Sequence, residues 1–154
     1  SHGGCRSRRR GTPPVEELLR VCLGFRLGAA CRRADRLFNR TLRKTGLSYA
    51  HGYVLATLFA RGELRARDVA RQTGFETSTV SRLLLHLSRR KFVRHRPHPE
   101  DGRAVLYRAS ARGEALRAEI ERLVRHADER LRREMTQADL AGVFRVIEIM
   151  DRLP

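Results

Sequence analysis

The fold is decided by residues 63–113, which read ELRARDVARQTGFETSTVSRLLLHLSRRKFVRHRPHPEDGRAVLYRASARG. The first part of this stretch carries one apolar helix face at positions i, i+3 and i+4, formed by Ala66, Val69 and Ala70. Gly74 follows as a helix stop. These features predict a short helix over residues 65–72 and a turn over residues 73–75.

A second helix is predicted from near Thr77 to Arg89. At its start, a hydroxyl of Thr77 or Ser78 can accept the backbone N–H groups that a helix leaves without partners. Apolar residues at i, i+3, i+4 and i+7 give it one buried face: Val80, Leu83, Leu84 and Leu87. The opposite face carries hydroxyl and basic side chains with one leucine: Ser78, Thr79, Ser81, Arg82, Leu85, His86 and Arg89. Short hydroxyls let the backbone approach a base edge, and a guanidinium can bond O6 and N7 of guanine, so this face suits a DNA major groove.

After Lys91 the sequence period changes from about 3.6 to about 2, which is typical of strands. Residues 93–96 and 105–108 predict two strands on either side of a turn over residues 97–102, and the tip of this hairpin is basic. We call the hairpin the wing. The order of helix, turn, helix and hairpin is the sequence form of a winged helix-turn-helix.

Several short motifs occur here in a single register: Leu47-Ser48, Asp68-Val69-Ala70, Ser78-Thr79-Val80-Ser81-Arg82, Leu87, Val93-Arg94-His95-Arg96, Asp101-Gly102-Arg103 and Ser110-Ala111-Arg112-Gly113. With these motifs the chain resembles the MarR family of bacterial transcription regulators over residues 47–113, and its flanks resemble the family by helix pattern. The resemblance implies a two-fold dimer in which the first and last helices interleave. It also implies a small aromatic or phenolic effector, bound between the DNA lobes and the dimer helices.

One position departs from the family pattern. The family usually has a glycine where this chain has Phe92, just past the second helix, because a left-handed backbone at a helix end is least costly for glycine. We therefore expect either strain at Phe92 or a different end to the helix.

Helices are also predicted on the N-terminal side of this region. Apolar residues recur from Val15 to about Leu42, which predicts one long helix. Ser48 then caps a further helix, which stops at Gly62.

On the C-terminal side, Ser110 caps a helix with one apolar stripe, and Thr136 with Asp139 makes a variant capping box for a last helix. The last helix, from Gln137 to about Arg152, is apolar over more than half of its circumference. A helix this apolar is not satisfied by one small core, so we expect a second subunit to cover it.

The predicted fold class is mostly α with a small β-wing. Residues 47–113 form the winged helix-turn-helix lobe, and residues 15–46 and 114–154 form dimerisation helices. Residues 1–14 form a flexible, basic N-terminal lead. At 154 residues we expect one integrated domain with its own core.

Composition indicates the partner class. The formal net charge is +16; four Arg and no acid lie in the first fourteen residues, so 16 − 4 leaves +12 on the rest, which favours a polyanion as partner. No apolar run is long enough to span a membrane and no secretory signal is apparent, so we expect a cytoplasmic protein without a membrane partner. Three cysteines without close pairs argue against a disulfide framework and a Cys-rich zinc site.

The preferred interpretation is a homodimeric regulator, most simply a repressor responsive to a ligand or to oxidation, that binds a pseudo-palindromic operator in double-stranded DNA. The predicted DNA contacts are Arg65, Arg67, Thr77, Ser78, Thr79, Ser81, Arg82, His86 and Arg103. Arg103 would enter the minor groove, and Asp101 would orient it. The alternative is an architectural or RNA-binding winged helix held mainly by charge. No catalytic signature occurs, so we expect no enzyme.

The sequence contains three further groups of candidate site residues. Phe25, His51 and Tyr53 are candidate contacts for the effector that the resemblance implies. Cys22 is a candidate redox sensor, with core packing as the alternative. The histidines, among them His95 and His98, do not complete a tetrahedral ligand set, so we expect no metal and no cofactor.

Overall fold

In the computed structural model, residues 15–153 are described; the predicted lead over residues 1–14 lies outside the described residues. The chain divides into two units, residues 1–36 and residues 37–154. The first unit contains helix α1 (Val15–Val21), and helix α2 (Leu23–Leu42) begins in it and continues into the second.

The predicted single helix from Val15 is interrupted at Cys22. The N–H of Cys22 donates to the carbonyl of Leu18 at 2.9 Å, and the carbonyl of Cys22 accepts from the N–H of Arg26 at 3.1 Å. Because helical hydrogen bonds continue through Cys22, the interruption is a distortion at one residue. The long helix predicted from Val15 to about Leu42 is therefore present, with a distortion at Cys22 that divides it into α1 and α2.

The second unit holds the remaining elements. After a 3-10 turn (Arg43–Thr45) these are α3 (Tyr49–Arg61), β1 (Leu64–Arg65), α4 (Ala66–Thr73), α5 (Thr77–Arg89), β2 (Val93–Pro97), β3 (Val105–Ala109), α6 (Ala111–Glu114), α7 (Arg117–Arg133) and α8 (Gln137–Met150). The predicted fold class, mostly helical with a small β-wing, is confirmed. The helix predicted from Ser110 is divided into α6 and α7 by residues 115–116.

Most predicted helix ends are confirmed. The hydroxyls of Ser48 and Ser110 accept the N–H groups of His51 and Gly113, and Thr136 with Asp139 forms a complete capping box. Gly46 and Gly74 are left-handed, with φ of 70° and 73°, as helix C-terminal residues often are.

The start of α5 differs from the prediction. Glu76 takes the extended N-cap conformation and its side chain makes no capping hydrogen bond. Thr77 and Ser78 are therefore already inside the helix, where their hydroxyls do not reach the first free N–H groups. The prediction of a hydroxyl cap was wrong, and both hydroxyls stay available on the surface.

The sheet has three strands, in the order β1-β3-β2. The hairpin of β2 and β3 was predicted, and its register pairs Val93 with Ala109 and Pro97 with Val105. The two residues of β1 pair antiparallel with β3, Leu64 opposite Tyr107 and Arg65 opposite Leu106. A two-residue strand carries no readable period, so this third strand was missed.

The core of the second unit lies among α3, α4, α5, α7 and the base of the wing. Its fully buried large side chains are Leu42, Val54, Leu55, Leu58, Val69, Val80, Leu84, Leu87 and Ile120. Three of these, Val80, Leu84 and Leu87, come from the predicted apolar face of α5. Burial of this face fixes which side of α5 is left to solvent.

The end of α5 resolves the departure at Phe92. Lys91, not Phe92, is the left-handed residue, with φ of 63°. The N–H of Phe92 donates to the carbonyl of Leu87 and the N–H of Lys91 to that of Ser88, both at 2.9 Å, which is the Schellman pattern of a helix end. Phe92 is buried, with the guanidinium of Arg90 5.0 Å and that of Arg112 4.9 Å from its ring centre. The strain expected at Phe92 therefore lies one residue earlier.

Two further features bear on function. Gly113 lies against the wing so closely that a Cβ there would clash with the carbonyl oxygen of Phe92. Helix α8, in contrast, has no buried residue.

Among residues 15–153, no helix combines the length and apolar character needed to cross a membrane.

Candidate nucleic-acid interface

The solvent face of α5 holds six of the predicted DNA contacts, one of which, His86, also packs against α3. Thr77, Ser78, Ser81 and Arg82 are exposed, and Thr79 is half-buried. The Ser81 hydroxyl donates to the carbonyl of Thr77 at 2.9 Å, and the Arg82 Nη2 donates to the Thr79 hydroxyl at 3.4 Å. Oxygen lone pairs and most guanidinium N–H groups thus remain free for an outside partner. This arrangement can bond to base edges.

Leu85 lies on the same helix and is 50% exposed. The sequence placed it on the solvent face, but it was not counted among the DNA contacts. An apolar side chain on such a face can contact a thymine methyl group. The signal that could have identified it is a leucine at a position where the period calls for a polar residue.

His86 is exposed, yet it also packs against another element. Its ring centre is 4.6 Å from that of His51 on α3, and the Nδ1 of His51 is 2.7 Å from the Ser48 hydroxyl. Burial lowers the pKa of His51, and the neighbouring His86 and Arg90 lower it further. His51, predicted to contact an effector, is therefore a partner of His86.

The tip of the wing is joined to β1. One carboxylate oxygen of Asp101 accepts the backbone N–H of Arg103 at 3.2 Å, and the other lies 3.7 Å from the guanidinium of Arg65. The Asp101 carboxylate thus accepts from the backbone N–H of Arg103, whereas its ion pair is with the side chain of Arg65. Three predicted residues, Arg65, Asp101 and Arg103, are brought together here. Arg67 is exposed on α4.

A second ion pair holds the side of the wing. The guanidinium of Arg96 donates to both carboxylate oxygens of Glu63, with Nε 2.9 Å from Oε1. This hydrogen bond lowers the pKa of Glu63 and raises that of Arg96. The pair joins β2 to the residue before β1, so the sheet is tied at its side as well as its tip.

Tyr53 belongs to a row of aromatic rings in the second unit. Ring centres are 5.1 Å apart between Phe38 and Tyr49, 5.9 Å between Tyr49 and Tyr53, and 5.9 Å between Tyr53 and Phe75. Phe38, Tyr49 and Tyr53 line an open cavity of about 450 Å³, along with Gly52, Ala56, Glu121, Val124, Arg125 and Asp128. Phe25, the third predicted effector residue, is in the first unit and is 52% exposed.

The predicted redox residue Cys22 is a free thiol with intermediate exposure, and Cys31 is free and exposed. Over residues 15–153, no three His, Cys, Asp or Glu side chains are grouped so that they could hold a metal ion.

Known proteins share this geometry. Residues 45–104 match the model of the MarR family. A mutant of E. coli MarR complexed with operator DNA has a TM-score of 0.78 at 21% identity, over 89% of this chain and 97% of that chain. Bordetella bronchiseptica BpsR, whose DNA binding is regulated by 6-hydroxynicotinic acid, has a TM-score of 0.76 at 24% identity, over 84% and 98%. A probable transcriptional regulator from Pseudomonas aeruginosa has a TM-score of 0.75 at 21% identity, over 86% and 98%. No curated protein matches this chain.

Helices α4 and α5, followed by the hairpin of β2 and β3 in a three-stranded sheet, define a winged helix-turn-helix protein. The solved structures share the fold of nearly the whole chain, and the family match covers its helix-turn-helix with the first strand and the turn of the wing. Residues 45–104 match the MarR family model, so the resemblance seen in the motifs is confirmed.

Proposed function

We propose that this protein is a homodimeric transcription regulator, acting as a repressor, that binds a specific pseudo-palindromic sequence in double-stranded DNA. The observation that carries the proposal is the exposed face of α5. This face carries hydroxyls and Arg82, whereas the buried face of the same helix is apolar. The net charge of +16 and the fold shared with an operator-bound MarR structure support the same partner.

Two copies of α5 would enter successive major grooves, about 34 Å apart. The N-terminal half of α5 reads base edges through Ser78, Ser81 and Arg82. Arg103, at the wing tip, lies in the flanking minor groove, where negative potential is concentrated. Arg65 contacts a DNA phosphate beside this minor groove, and its ion pair with Asp101 holds its guanidinium in place.

The homodimer is proposed because α8 exposes six large apolar side chains: Val143, Phe144, Val146, Ile147, Ile149 and Met150. Soluble monomers rarely leave such a patch uncovered. A two-fold interface covers the same patch on both subunits at once. The dimer also sets the spacing of the two α5 helices.

A small aromatic effector is proposed for the cavity beside Tyr53. Its aromatic walls suit a flat ring, and Arg125 supplies a cation for a carboxylate or phenolate. Binding of salicylate or a hydroxynicotinate should quench tyrosine fluorescence in wild type. Loss of this response in Tyr53→Ala, with retention in Tyr107→Ala on the wing, would support the cavity as the site.

Oxidation sensing is assigned to Cys22, a partly exposed free thiol at the interruption between α1 and α2. Peroxide should weaken DNA binding by wild type and not by Cys22→Ser, whereas Cys31→Ser should behave as wild type. An equal response in Cys22→Ser and wild type would return Cys22 to a packing role.

The decisive experiment compares Arg82→Ala with Arg103→Ala on a sequence selected from random DNA, on its single-base variants and on random DNA. Arg82→Ala should reduce discrimination at one position by about 1–3 kcal/mol. Arg103→Ala should weaken all sequences evenly and lower the salt slope by about one unit. Arg130→Ala, an exposed arginine on α7, serves as the control.

Equal weakening of specific and random DNA by Arg82→Ala would show that Arg82 contacts phosphate. No sequence preference in the wild type would favour a non-specific architectural or RNA-binding role. No effect of either substitution would show that this face does not bind DNA, and the proposal would fail.

A further inference from the structure

Two arginines lie directly opposite each other at the base of the wing. Arg94 on β2 pairs with Arg108 on β3 in the antiparallel register, and both side chains are exposed. Like charges at directly opposed positions destabilise a sheet. Within residues 15–153 neither arginine forms an ion pair. The charge of Arg108 helps to lower the pKa of Glu63, but the carboxylate of Glu63 is hydrogen-bonded to Arg96. The repulsive pair is therefore only partly compensated within the described residues.

Three cavities have Arg94 in their lining. A cavity of about 540 Å³ is lined by Ser88, Lys91, Val93, Arg94, His95, Ser110, Ala111 and Arg112. Two others, of about 220 Å³ and 400 Å³, lie along Arg94 and Arg108. We call the three together the wing-base groove. The volumes of 540 Å³ and 400 Å³ are in the range of small-molecule sites, about 300–1,000 Å³.

The groove has an excess of positive charge. Its cationic lining consists of Lys91, Arg94, Arg96, Arg108 and Arg112, and its acidic lining of Glu63 and Glu114, so 5 − 2 leaves three positive charges. Both carboxylates are already paired, Glu63 with Arg96 and Glu114 with Arg117. The free cations are therefore Lys91, Arg94, Arg108 and Arg112.

Two of the lining groups are held ready for a ligand. The Arg112 guanidinium is 4.9 Å from the ring centre of the buried Phe92, which limits its motion. Ser88 Oγ, also in the lining, is buried and has no hydrogen-bond partner in the described part of the chain. A ligand oxygen admitted by rotation of this hydroxyl would satisfy it.

We propose that the wing-base groove binds a compact small-molecule anion carrying two or more negative charges, either a phosphate ester or a polycarboxylate. Guanidinium forks match both groups in bidentate geometry. Such an anion would supply counter-charge to the Arg94–Arg108 pair, which forms no ion pair within the described residues.

The Arg94–Arg108 pair lies away from the wing tip and from the start of α5, although Arg65 is close to it, opposite Leu106 on β3. Three residue pairs, about 10 Å of strand, separate Arg94 and Arg108 from the turn that carries Arg103. Ser88 and Lys91 are at the C-terminal end of α5, about 16 Å along the helix from Thr77. The wing tip and the start of α5 can therefore contact DNA while the groove holds a free anion, and the test below separates such an anion from the DNA backbone.

The test measures binding of citrate and of inorganic pyrophosphate to the full chain by calorimetry at constant ionic strength, with each anion as one source of the chemistry. The variants are Arg94→Glu, which places a carboxylate opposite Arg108, and Arg94→Ser, which only removes the charge. Arg130→Glu changes the net charge as Arg94→Glu does, at an exposed site outside the groove.

Wild type should bind at least one of the two anions, and that anion should raise its melting temperature. Affinity should fall at least about tenfold in Arg94→Glu, less in Arg94→Ser, and little in Arg130→Glu. Absence of binding by both anions, or an equal loss in Arg130→Glu, would overturn the proposal. A smaller salt slope for DNA binding in Arg94→Glu than in Arg130→Glu would assign the groove to DNA phosphates and also overturn it. This last result would leave the proposed regulator function intact, so the two can fail separately.

Discussion

Helices α5 and α8 have almost the same length, 13 and 14 residues, but treat their apolar residues in opposite ways. In α5 the residues Val80, Leu84 and Leu87 are fully buried, whereas α8 contains no buried residue. The apolar residues of α5 lie on one face, which one core can cover. The apolar residues of α8 are distributed over more than one face of the helix, so one core cannot cover them all. The comparison shows that apolar content alone does not place a helix in the core of its own chain.

The largest effect is expected from an acid in the exposed apolar patch of α8. Ile147 and Leu85 are 47% and 50% exposed, so they form a matched pair. Ile147→Asp should weaken the free energy of association of the proposed dimer by about 3 kcal/mol or more, because the carboxylate would be buried without a partner. Leu85→Asp should leave assembly unchanged. Sedimentation at several concentrations checks both; a wild type that is monomeric and folded would contradict the assignment of α8.

A second substitution tests the opposite case, a region closed within the chain. Gly113→Ala should destabilise the fold by about 1–3 kcal/mol, because its Cβ would press on the carbonyl of Phe92 and backbone must move. Gly102→Ala, at the wing tip with nothing within 4 Å, should have almost no effect. Chemical denaturation measures the difference, and equal stability of the two variants would show that the α6–wing contact is loose.

The end of α5 offers a stabilising change. Lys91 is left-handed, so Lys91→Gly should remove strain and stabilise the protein by about 1 kcal/mol, less the entropy that glycine loses. Lys44→Gly removes the same charge from the 3-10 turn and should destabilise. If Lys91→Gly lowers the melting temperature instead, the strain at this helix end is not released by glycine.

The smallest effect is expected from pH. The pKa of His51 is lowered in the folded state, chiefly by burial, so the unfolded chain binds more protons between the two pKa values. The stability contributed by neutral His51 is therefore complete above about pH 6.5 and is lost as pH falls through the lower, folded pKa. His51→Gln should flatten the dependence of melting temperature on pH, and His126→Gln, exposed on α7, should not. An unchanged dependence in His51→Gln would place the acid sensitivity elsewhere.

Sequence reasoning succeeded where the signal is local. The buried face of α5 follows from a repeat that spans a single helix, and the caps at Ser48, Ser110 and Thr136 involve residues three positions apart. The wing hairpin is also local, since its strands are joined by one turn. These features need no knowledge of the rest of the chain.

The misses involve either short elements or contacts between distant residues. Strand β1 has two residues, too few for a period. The left-handed position was placed at Phe92 instead of Lys91 because a one-residue shift in a helix end hardly changes the pattern. His51 meets His86, and Asp101 meets Arg65, across 35 and 36 residues of chain (86 − 51 and 101 − 65), and no sequence period reports such pairs.

The sequence by itself determined that residues 63–113 form helix, turn, helix and wing, because side-chain period and capping are set by neighbours a few residues away. It also determined that α8 carries more apolar surface than one face. Only the tertiary structure decided which groups meet across the chain: Asp101 with Arg65, His51 with His86, and Arg94 opposite Arg108. Those meetings depend on strand register and helix packing, which are set by burial of the whole core and not by any local repeat.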